Sequence, residues 1–101
     1  LGRMIARMGT LRAMSIACTA RLEAGDSPVN EASVVKDLGT RFEQDLPMMI
    51  GEDLASHPEE KVSSQLYQAL AYTSQVAPSF SIRGGTREIL RGIIARGLGL
   101  R

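Results

Sequence analysis

The chain of 101 residues is long enough for one small domain, so residues 1–101 are treated as a single domain. One cysteine excludes an internal disulfide, and no apolar run approaches the roughly 20 residues that a membrane-spanning helix needs. A net charge of +1 and an aromatic content of 4% give little support for nucleic-acid binding. These features predict a soluble cytoplasmic protein with no nucleic-acid partner and no membrane span.

Charge is unevenly distributed along the chain. Residues 1–22 carry four Arg and no acid, residues 23–60 carry ten acids and two bases, and residues 61–101 carry six bases and one acid. An acidic segment between basic ends predicts that the middle of the chain pairs with its neighbours or with another subunit. Separately solvated faces would give the same pattern, and the sequence does not decide between these interpretations.

The first predicted helix extends from Leu1 to a stop at Gly25. Its apolar residues recur at steps of three, four or seven, and its arginines lie largely off this stripe. We expect Cys18 to be a buried structural thiol. No capping residue precedes the helix and no initiator Met is present, so we expect a segment of a longer chain. The stripe contains Leu1, Met4, Met8, Leu11, Cys18 and Leu22.

The second predicted helix begins near Asn30. Pro47 lies inside its apolar pattern, so the helix is expected either to kink there or to break into two. Its expected buried residues are Val35, Leu38, Phe42, Leu46, Met49 and Ile50.

Two further helices are predicted downstream. Residues 56–60 have the character of a loop leading into a helix, with Pro58 at or near the first helical position and acids in the first turn. This third helix must stop before Pro78, and it uses Val62, Leu66, Ala69, Leu70, Thr73 and Val76. The fourth helix extends from Thr86 to about Gly97. Four helices with short connections, and no strand-like alternation, predict an all-α fold: an antiparallel four-helix bundle.

The junction before the fourth helix is the main candidate for a binding site. Gly84 and Gly85 lack Cβ atoms and let a ligand approach the backbone closely. Thr86 is the natural N-cap, and Glu88 lies in the first turn, where a carboxylate is favoured. The free N–H groups at such a helix start can hold an anion or a developing negative charge. A simple connecting turn is the competing interpretation.

The amino-acid sequence of this region resembles that of a known protein family. The string Arg83-Gly84-Gly85-Thr86-Arg87-Glu88-Ile89-Leu90-Arg91, followed by Ile93-Ile94-Ala95-Arg96, is similar to the last helix of the flavin-dependent acyl-CoA dehydrogenases. The glycine turn at residues 25–27 and the helix opening at residues 31–36 look like preceding parts of the same C-terminal helical domain. The resemblance spans most of the chain, although its specific part is residues 83–96.

The resemblance implies an enzyme role as part of an oxidoreductase that uses FAD to dehydrogenate an acyl-CoA thioester between its α and β carbons. It implies that Thr86, Arg87 and Glu88 contact FAD and that Gly84 and Gly85 contact the substrate, whose thioester carbonyl a backbone N–H polarises. It also implies an electron-transfer acceptor protein and a homo- or hetero-oligomer, dimer or tetramer. The chain alone is expected to be inactive, since the family's sites also use an N-terminal helical domain and a middle β-domain.

Two departures from the family pattern affect this expectation. Gly84 stands where the commonest members have the Glu that removes the α-proton, so no catalytic residue is assigned here. The base could lie on an earlier helix, the chain could belong to a base-lacking subunit of a mixed assembly, or the protein could do no redox chemistry. The family's Gln-x-x-Gly-Gly-x-Gly motif, which contacts the flavin of a neighbouring subunit, is replaced at residues 46–53. Only Gly51 remains as a candidate for that flavin contact, and Glu52 and Asp53 would repel a pyrophosphate.

An interaction module is therefore the alternative hypothesis: a non-catalytic helical subunit of a dehydrogenase hetero-oligomer. Other polar residues add no second site. His57 has no partner at metal-ligand spacing, and Ser63, Ser64 and Tyr67 have no suitable base nearby, so neither a metal site nor a nucleophile is predicted. If a first helix of the bundle is missing, the apolar face that it would cover should make the chain self-associate.

Overall fold

The computed structural model describes residues 1–59 and 61–100. Four α-helices follow one another: α1 (Gly2–Glu23), α2 (Val29–Ser56), α3 (Ser64–Val76) and α4 (Arg87–Gly97). A 3-10 helix, Ala77–Ile82, lies between α3 and α4. The described ranges contain no strand. The expectation of an all-helical chain with four helices is confirmed.

Helix α2 organises the fold. It packs against α1, α3, α4 and the 3-10 helix, and α3 also packs against the 3-10 helix. Among the described residues, any other contact between elements is marginal. The result is an elongated body of 51 × 25 × 20 Å in which α1 covers one side of α2 and the later elements cover the opposite side.

Helix α1 buries a narrower stripe than its sequence pattern predicts. Leu1, Met8 and Leu22 are exposed, at 76%, 58% and 59%. Cys18 is only half-buried, which corrects the expectation of a buried thiol. The physical reason is that, within the ranges 1–59 and 61–100, α2 is the only substantial neighbour of α1, and one helix covers just one line of side chains. That line consists of Met4, Arg7, Leu11, Met14 and Cys18.

Helix α2 continues through Pro47 without a break. The proline side chain is buried, so its packing stabilises the fold at a position where the proline ring removes a backbone hydrogen-bond donor. Nearby, Gln44 Nε2 donates to the carbonyl oxygen of Ala77 at 3.3 Å and joins α2 to the 3-10 helix. Phe42 and Met49 are buried as predicted, but Leu38 is 45% exposed, against expectation, because it lies beside the line that α1 covers.

Helix α3 begins later than predicted. Pro58 lies in a turn, and the helix starts at Ser64 because the Ser63 side chain accepts a hydrogen bond from the Leu66 N–H at 3.3 Å. This cap supplies the start signal that the sequence interpretation assigned to Pro58. Glu60, included in that interpretation, lies outside the described residues. The helix ends before Pro78 as expected, but the following 3-10 helix was not predicted.

Within the described part of the chain, no helix has both the length and the apolar character needed to cross a bilayer. The longest, α2, carries charged side chains along its whole course.

Candidate functional site

The two glycines before α4 form a turn that leads into a capped helix. Gly84 and Gly85 adopt φ angles of 71° and 100°, in the left-handed region where side chains are strained. Thr86 is the N-cap, and its side-chain oxygen accepts a hydrogen bond from the Ile89 N–H at 3.5 Å. The capping role of Thr86 and the place of Glu88 in the first turn are therefore confirmed.

The backbone donors of this turn are available. Within the described residues, the N–H groups of Gly84, Gly85 and Thr86 donate to no backbone acceptor. Gly84 is exposed and Gly85 and Thr86 are half-buried, so the turn is open to a ligand. Unpaired N–H groups at the positive end of a helix suit an oxygen that carries negative charge.

Arg87 points away from the open side of the turn. Its Nε donates to Oδ1 of Asp37 on α2 at 2.9 Å, and the Arg87 side chain is only 22% exposed. Arg91, one helical turn later, approaches Oδ2 of the same carboxylate at 3.5 Å. Two arginines of α4 thus hold one acid of α2, and this cluster ties the start of α4 to the centre of the fold.

Asp37 remains ionised more readily than an ordinary aspartate. Burial raises its pKa, but the hydrogen bond from Arg87 and the charges of Arg87 and Arg91 together outweigh burial and lower the pKa. The acid therefore acts as a permanent anion at neutral pH and serves as an anchor for α4.

Glu88 has a lowered pKa for a local reason. Its carboxylate accepts a hydrogen bond from its own backbone N–H, and the Thr86 hydroxyl adds a second hydrogen bond. The side chain is exposed, beside the Gly84-Gly85 turn. Its negative charge stabilises the start of α4 and reduces the positive potential that the helix offers to an anion.

Two further charged residues border the turn and were not identified from the sequence. A Cβ placed on Gly84 would lie 4.0 Å from Cε of Lys36, so the Lys36 side chain lies against the turn. Arg83 Nη2 lies 3.4 Å from Glu43 Oε2, and its guanidinium stacks over the Phe80 ring at 4.7 Å. The uneven charge distribution of the sequence is compatible with charged contacts between α2 and its neighbours, but it does not identify the residues that form them.

An open groove between α1 and α2 adjoins this region through Lys36. Its volume is about 360 Å³, and Lys36 is the residue shared by the groove and the turn. The hydroxyl of Thr40, which also lines the groove, is buried and has no hydrogen-bond partner among the described residues. Most of the other lining atoms are apolar or belong to small side chains, including Ser15, Cys18, Thr19, Val35 and Gly39.

The segment at residues 46–53 has no glycine-rich loop. It lies wholly within α2. Gly51 is half-buried, and a Cβ there would approach the Leu70 side chain at 4.0 Å, so this glycine faces α3. Glu52 and Asp53 are exposed at the same end of the helix. This end of α2 is therefore unsuited to a phosphate group.

The remaining polar candidates have local roles. His57 Nδ1 lies 2.9 Å from the carbonyl oxygen of Asp53, next to the end of α2. The Ser63 side chain caps α3. No group of three or more potential metal ligands occurs among the residues that the structure describes.

No protein-family model matches the chain, and no curated protein or solved structure is significantly similar to it. The turn, its surroundings and the sequence of residues 83–96 therefore carry the indications of function.

Proposed function

We propose that this chain forms the C-terminal helical domain of an FAD-dependent acyl-CoA dehydrogenase, an oxidoreductase that dehydrogenates an acyl-CoA thioester between its α and β carbons. Its arrangement would be that of the antiparallel four-helix bundle of such a domain. The observation that carries the proposal is the Gly84-Gly85-Thr86 turn, in which two left-handed glycines lead into a capped helix with free backbone donors.

The turn suits the chemistry that the proposal requires. Removal of an α-proton from a thioester places negative charge on its carbonyl oxygen, and prearranged N–H donors lower the energy of that state. The N–H groups of Gly84 and Gly85 are such donors, and no side chain at either position blocks a close approach. Lys36 places a positive charge beside the same turn.

The residues at the start of α4 fit a flavin only in part. The exposed Glu88 carboxylate can accept hydrogen bonds from the cofactor, whereas the half-buried Thr86 hydroxyl already caps α4 and bonds to Glu88, so only a remaining lone pair of its oxygen is open to a ligand. Arg87 is held by Asp37, so its role is to fix the helix start, and only its remaining guanidinium donors can contact a ligand. When bound, FAD supplies the acceptor for the hydride that leaves the β-carbon.

The proton acceptor must come from outside the turn. Gly84 has no side chain that can take a proton, and Lys36, whose side chain lies against the turn, is a lysine and not a carboxylate. The proposal therefore places the base on another part of the full-length protein, which also explains why this chain alone should be inactive. The electron-transfer acceptor protein and the oligomeric state belong to the same proposal.

The test is the visible absorbance spectrum of the full-length protein that contains this chain, recorded with and without an acyl-CoA. Flavin bands that bleach when the thioester is added support a working dehydrogenase. As a control, a Gly84→Val variant should bind flavin but bleach much more slowly, because the strained backbone and the added side chain disturb the carbonyl site. Absence of flavin, or bleaching unaffected by Gly84→Val, contradicts the proposal.

One observation favours a second candidate, a non-catalytic helical subunit of a dehydrogenase hetero-oligomer. The end of α2 is helical and acidic where the family has a glycine-rich flavin contact, and Gly51 is directed at Leu70. A full-length protein that is colourless but co-purifies stoichiometrically with a flavin-containing dehydrogenase chain would support this candidate over the first.

A further inference from the structure

We propose that the groove between α1 and α2 holds the acyl part of the thioester, and that Thr40 makes this groove prefer acyl groups with a hydroxyl beyond the β-carbon. The inference rests on the proposed function and names the class of acyl group that the site selects. It concerns recognition only and assigns Thr40 no part in the transfer of the proton or the hydride.

The groove runs beside the glycine turn. Lys36 and Glu43 of α2 both line it, and each also contacts the segment that leads into the turn. Cε of Lys36 lies 4.0 Å from the place of a Cβ on Gly84, and Oε2 of Glu43 lies 3.4 Å from Nη2 of Arg83. A thioester whose carbonyl oxygen lies at the free N–H groups of the turn therefore has this groove next to it.

Thr40 lies between these two residues of α2. Positions 36, 40 and 43 are four and three residues apart, which places them on one side of a helix. Thr40 lines the groove and is only 2% exposed. Its hydroxyl has no hydrogen-bond partner among the residues that the structure describes. The groove therefore contains a buried polar group that is free to bind a ligand.

An unpaired hydroxyl in this position favours a ligand with a polar group. Burying a hydroxyl without a partner costs free energy, and most buried polar groups in proteins are paired. Three other threonines in helices of this chain, Thr10, Thr19 and Thr73, each donate to the carbonyl oxygen four residues earlier. Thr40 makes no such bond. A hydroxyl on the acyl group would supply its missing partner, whereas a plain hydrocarbon chain would leave it unpaired.

The rest of the groove suits a short acyl chain. Its volume of about 360 Å³ is at the low end of the range for small-molecule sites. Val35 and Cys18 contribute apolar surface to its lining. A Cβ on Gly39 would meet no atom of the described residues within 4 Å, so space remains beside this glycine. A small acyl group with one hydroxyl matches both the apolar lining and Thr40.

Isothermal titration calorimetry on the full-length protein that contains this chain tests the preference. The probes are a short unbranched acyl-CoA and its analogues with a single hydroxyl on the γ, δ or ε carbon. At least one hydroxylated analogue should bind about tenfold more tightly than the plain acyl-CoA. Thr40→Val should remove this preference, and Thr40→Ser should keep it. Equal affinities in the unmodified protein, or a preference that survives Thr40→Val, overturn the inference.

Thr19→Val is the matched control for the binding experiment. Thr19 lines the same groove, but its hydroxyl already donates to the carbonyl oxygen of Ser15 at 3.1 Å. This variant should keep the preference for the hydroxylated acyl-CoA. A loss of preference equal to that of Thr40→Val would show that the groove responds to any such change, and it would overturn the specific role of Thr40.

The stability of the ligand-free chain provides an independent measurement. Thr40→Val removes an unpaired buried hydroxyl, so the midpoint of urea unfolding, followed by circular dichroism, should stay unchanged or rise. A lower midpoint would show that the hydroxyl already has a partner within the chain, and this result would overturn the inference.

Failure of this inference and failure of the proposed function give different results. Flavin that bleaches with acyl-CoAs, together with equal affinities for plain and hydroxylated probes, supports the dehydrogenase and overturns the role of Thr40. A colourless protein that still prefers a hydroxylated acyl-CoA, and loses this preference in Thr40→Val, contradicts the dehydrogenase but supports the groove as a binding site for hydroxylated acyl groups.

Discussion

Asp37 of α2 accepts a hydrogen bond from Arg87 of α4 at 2.9 Å, and this contact fixes the start of the helix that carries the glycine turn. The carboxylate is only 15% exposed and also faces Arg91. The direction of α4, and with it the direction of the free N–H groups, is therefore set by an acid that lies some 50 residues earlier in the chain.

Replacing Asp37 with Asn should destabilise the chain by about 1–2 kcal/mol at pH 7, since it removes a charge-assisted contact of limited exposure. The folded-state pKa of Asp37 is lower than its unfolded-state pKa. Its stabilisation is therefore complete above about pH 4 and is lost as the pH falls through the lower folded-state pKa. Urea unfolding followed by circular dichroism should show the largest difference between the two chains at pH 7 and a difference that shrinks as the pH falls below about 4.

Glu43→Gln is the control for this prediction. Glu43 also pairs with an arginine near the turn, but both side chains are at least half exposed. Solvent screening should limit its effect at pH 7 to a few tenths of a kcal/mol. Equal losses for the two variants would show that Asp37 is not a special anchor.

Thr86→Ala should remove the cap of α4 and cost about 1 kcal/mol, whereas Thr86→Ser should keep most of the stability because its hydroxyl can accept the same hydrogen bond. Thermal unfolding of the three chains provides the measurement. A loss of the same size in Thr86→Ser would indicate that the methyl group of Thr86, and not its oxygen, is what matters.

Two glycines of α4 should respond differently to alanine. A Cβ on Gly92 would meet nothing within 4 Å, so Gly92→Ala should gain about 0.5–1 kcal/mol from helix propensity. A Cβ on Gly97 would lie 2.5 Å from Oδ1 of Asn30, so the Asn30 side chain must turn away. Gly97→Ala should therefore show no increase in the free energy of unfolding measured in urea. An equal increase for both variants would mean that α4 packs on α2 less closely than described.

Arg7 should contribute more to stability than Arg12, although both are arginines of α1. Arg7 lies over the Phe42 ring at 5.4 Å and 3.4 Å from Oδ2 of Asp45, whereas Arg12 is exposed. Arg7→Ala should cost about 1–2 kcal/mol by loss of packing and charge contacts, and Arg12→Ala less than 0.5 kcal/mol. Chemical unfolding of the two variants is the test, and equal effects would contradict the assigned role of Arg7.

The sequence predicted the features that depend on neighbouring residues. The helical pattern, the stop near Gly25 and the cap at Thr86 all follow from local chemistry, and the structure agrees with them. The charge distribution left open whether the central helix pairs with its neighbours. In the structure such pairs form between acids of α2 and five arginines: Arg7, Arg21, Arg83, Arg87 and Arg91.

The features that depend on tertiary packing were not predictable. Nothing local distinguishes Leu38, which is exposed, from Phe42, which is buried, because the difference lies in where α1 rests. Arg7 belongs to the covered line only because Asp45 and Phe42 lie opposite it. The approach of Lys36 to Gly84 likewise depends on how α4 folds back along α2.

Every packed element contacts α2 or an immediate neighbour of α2, and this arrangement also determines the order in which the elements unfold. Since α1 contacts little besides α2, it can detach while the pairing of α2 with α4 persists. In native-state hydrogen exchange, the amides of α1 should therefore exchange by partial opening, and those in the middle of α2 should exchange last. The glycine turn belongs to the part that opens late, so its geometry survives fluctuations that already expose the opposite side of the chain.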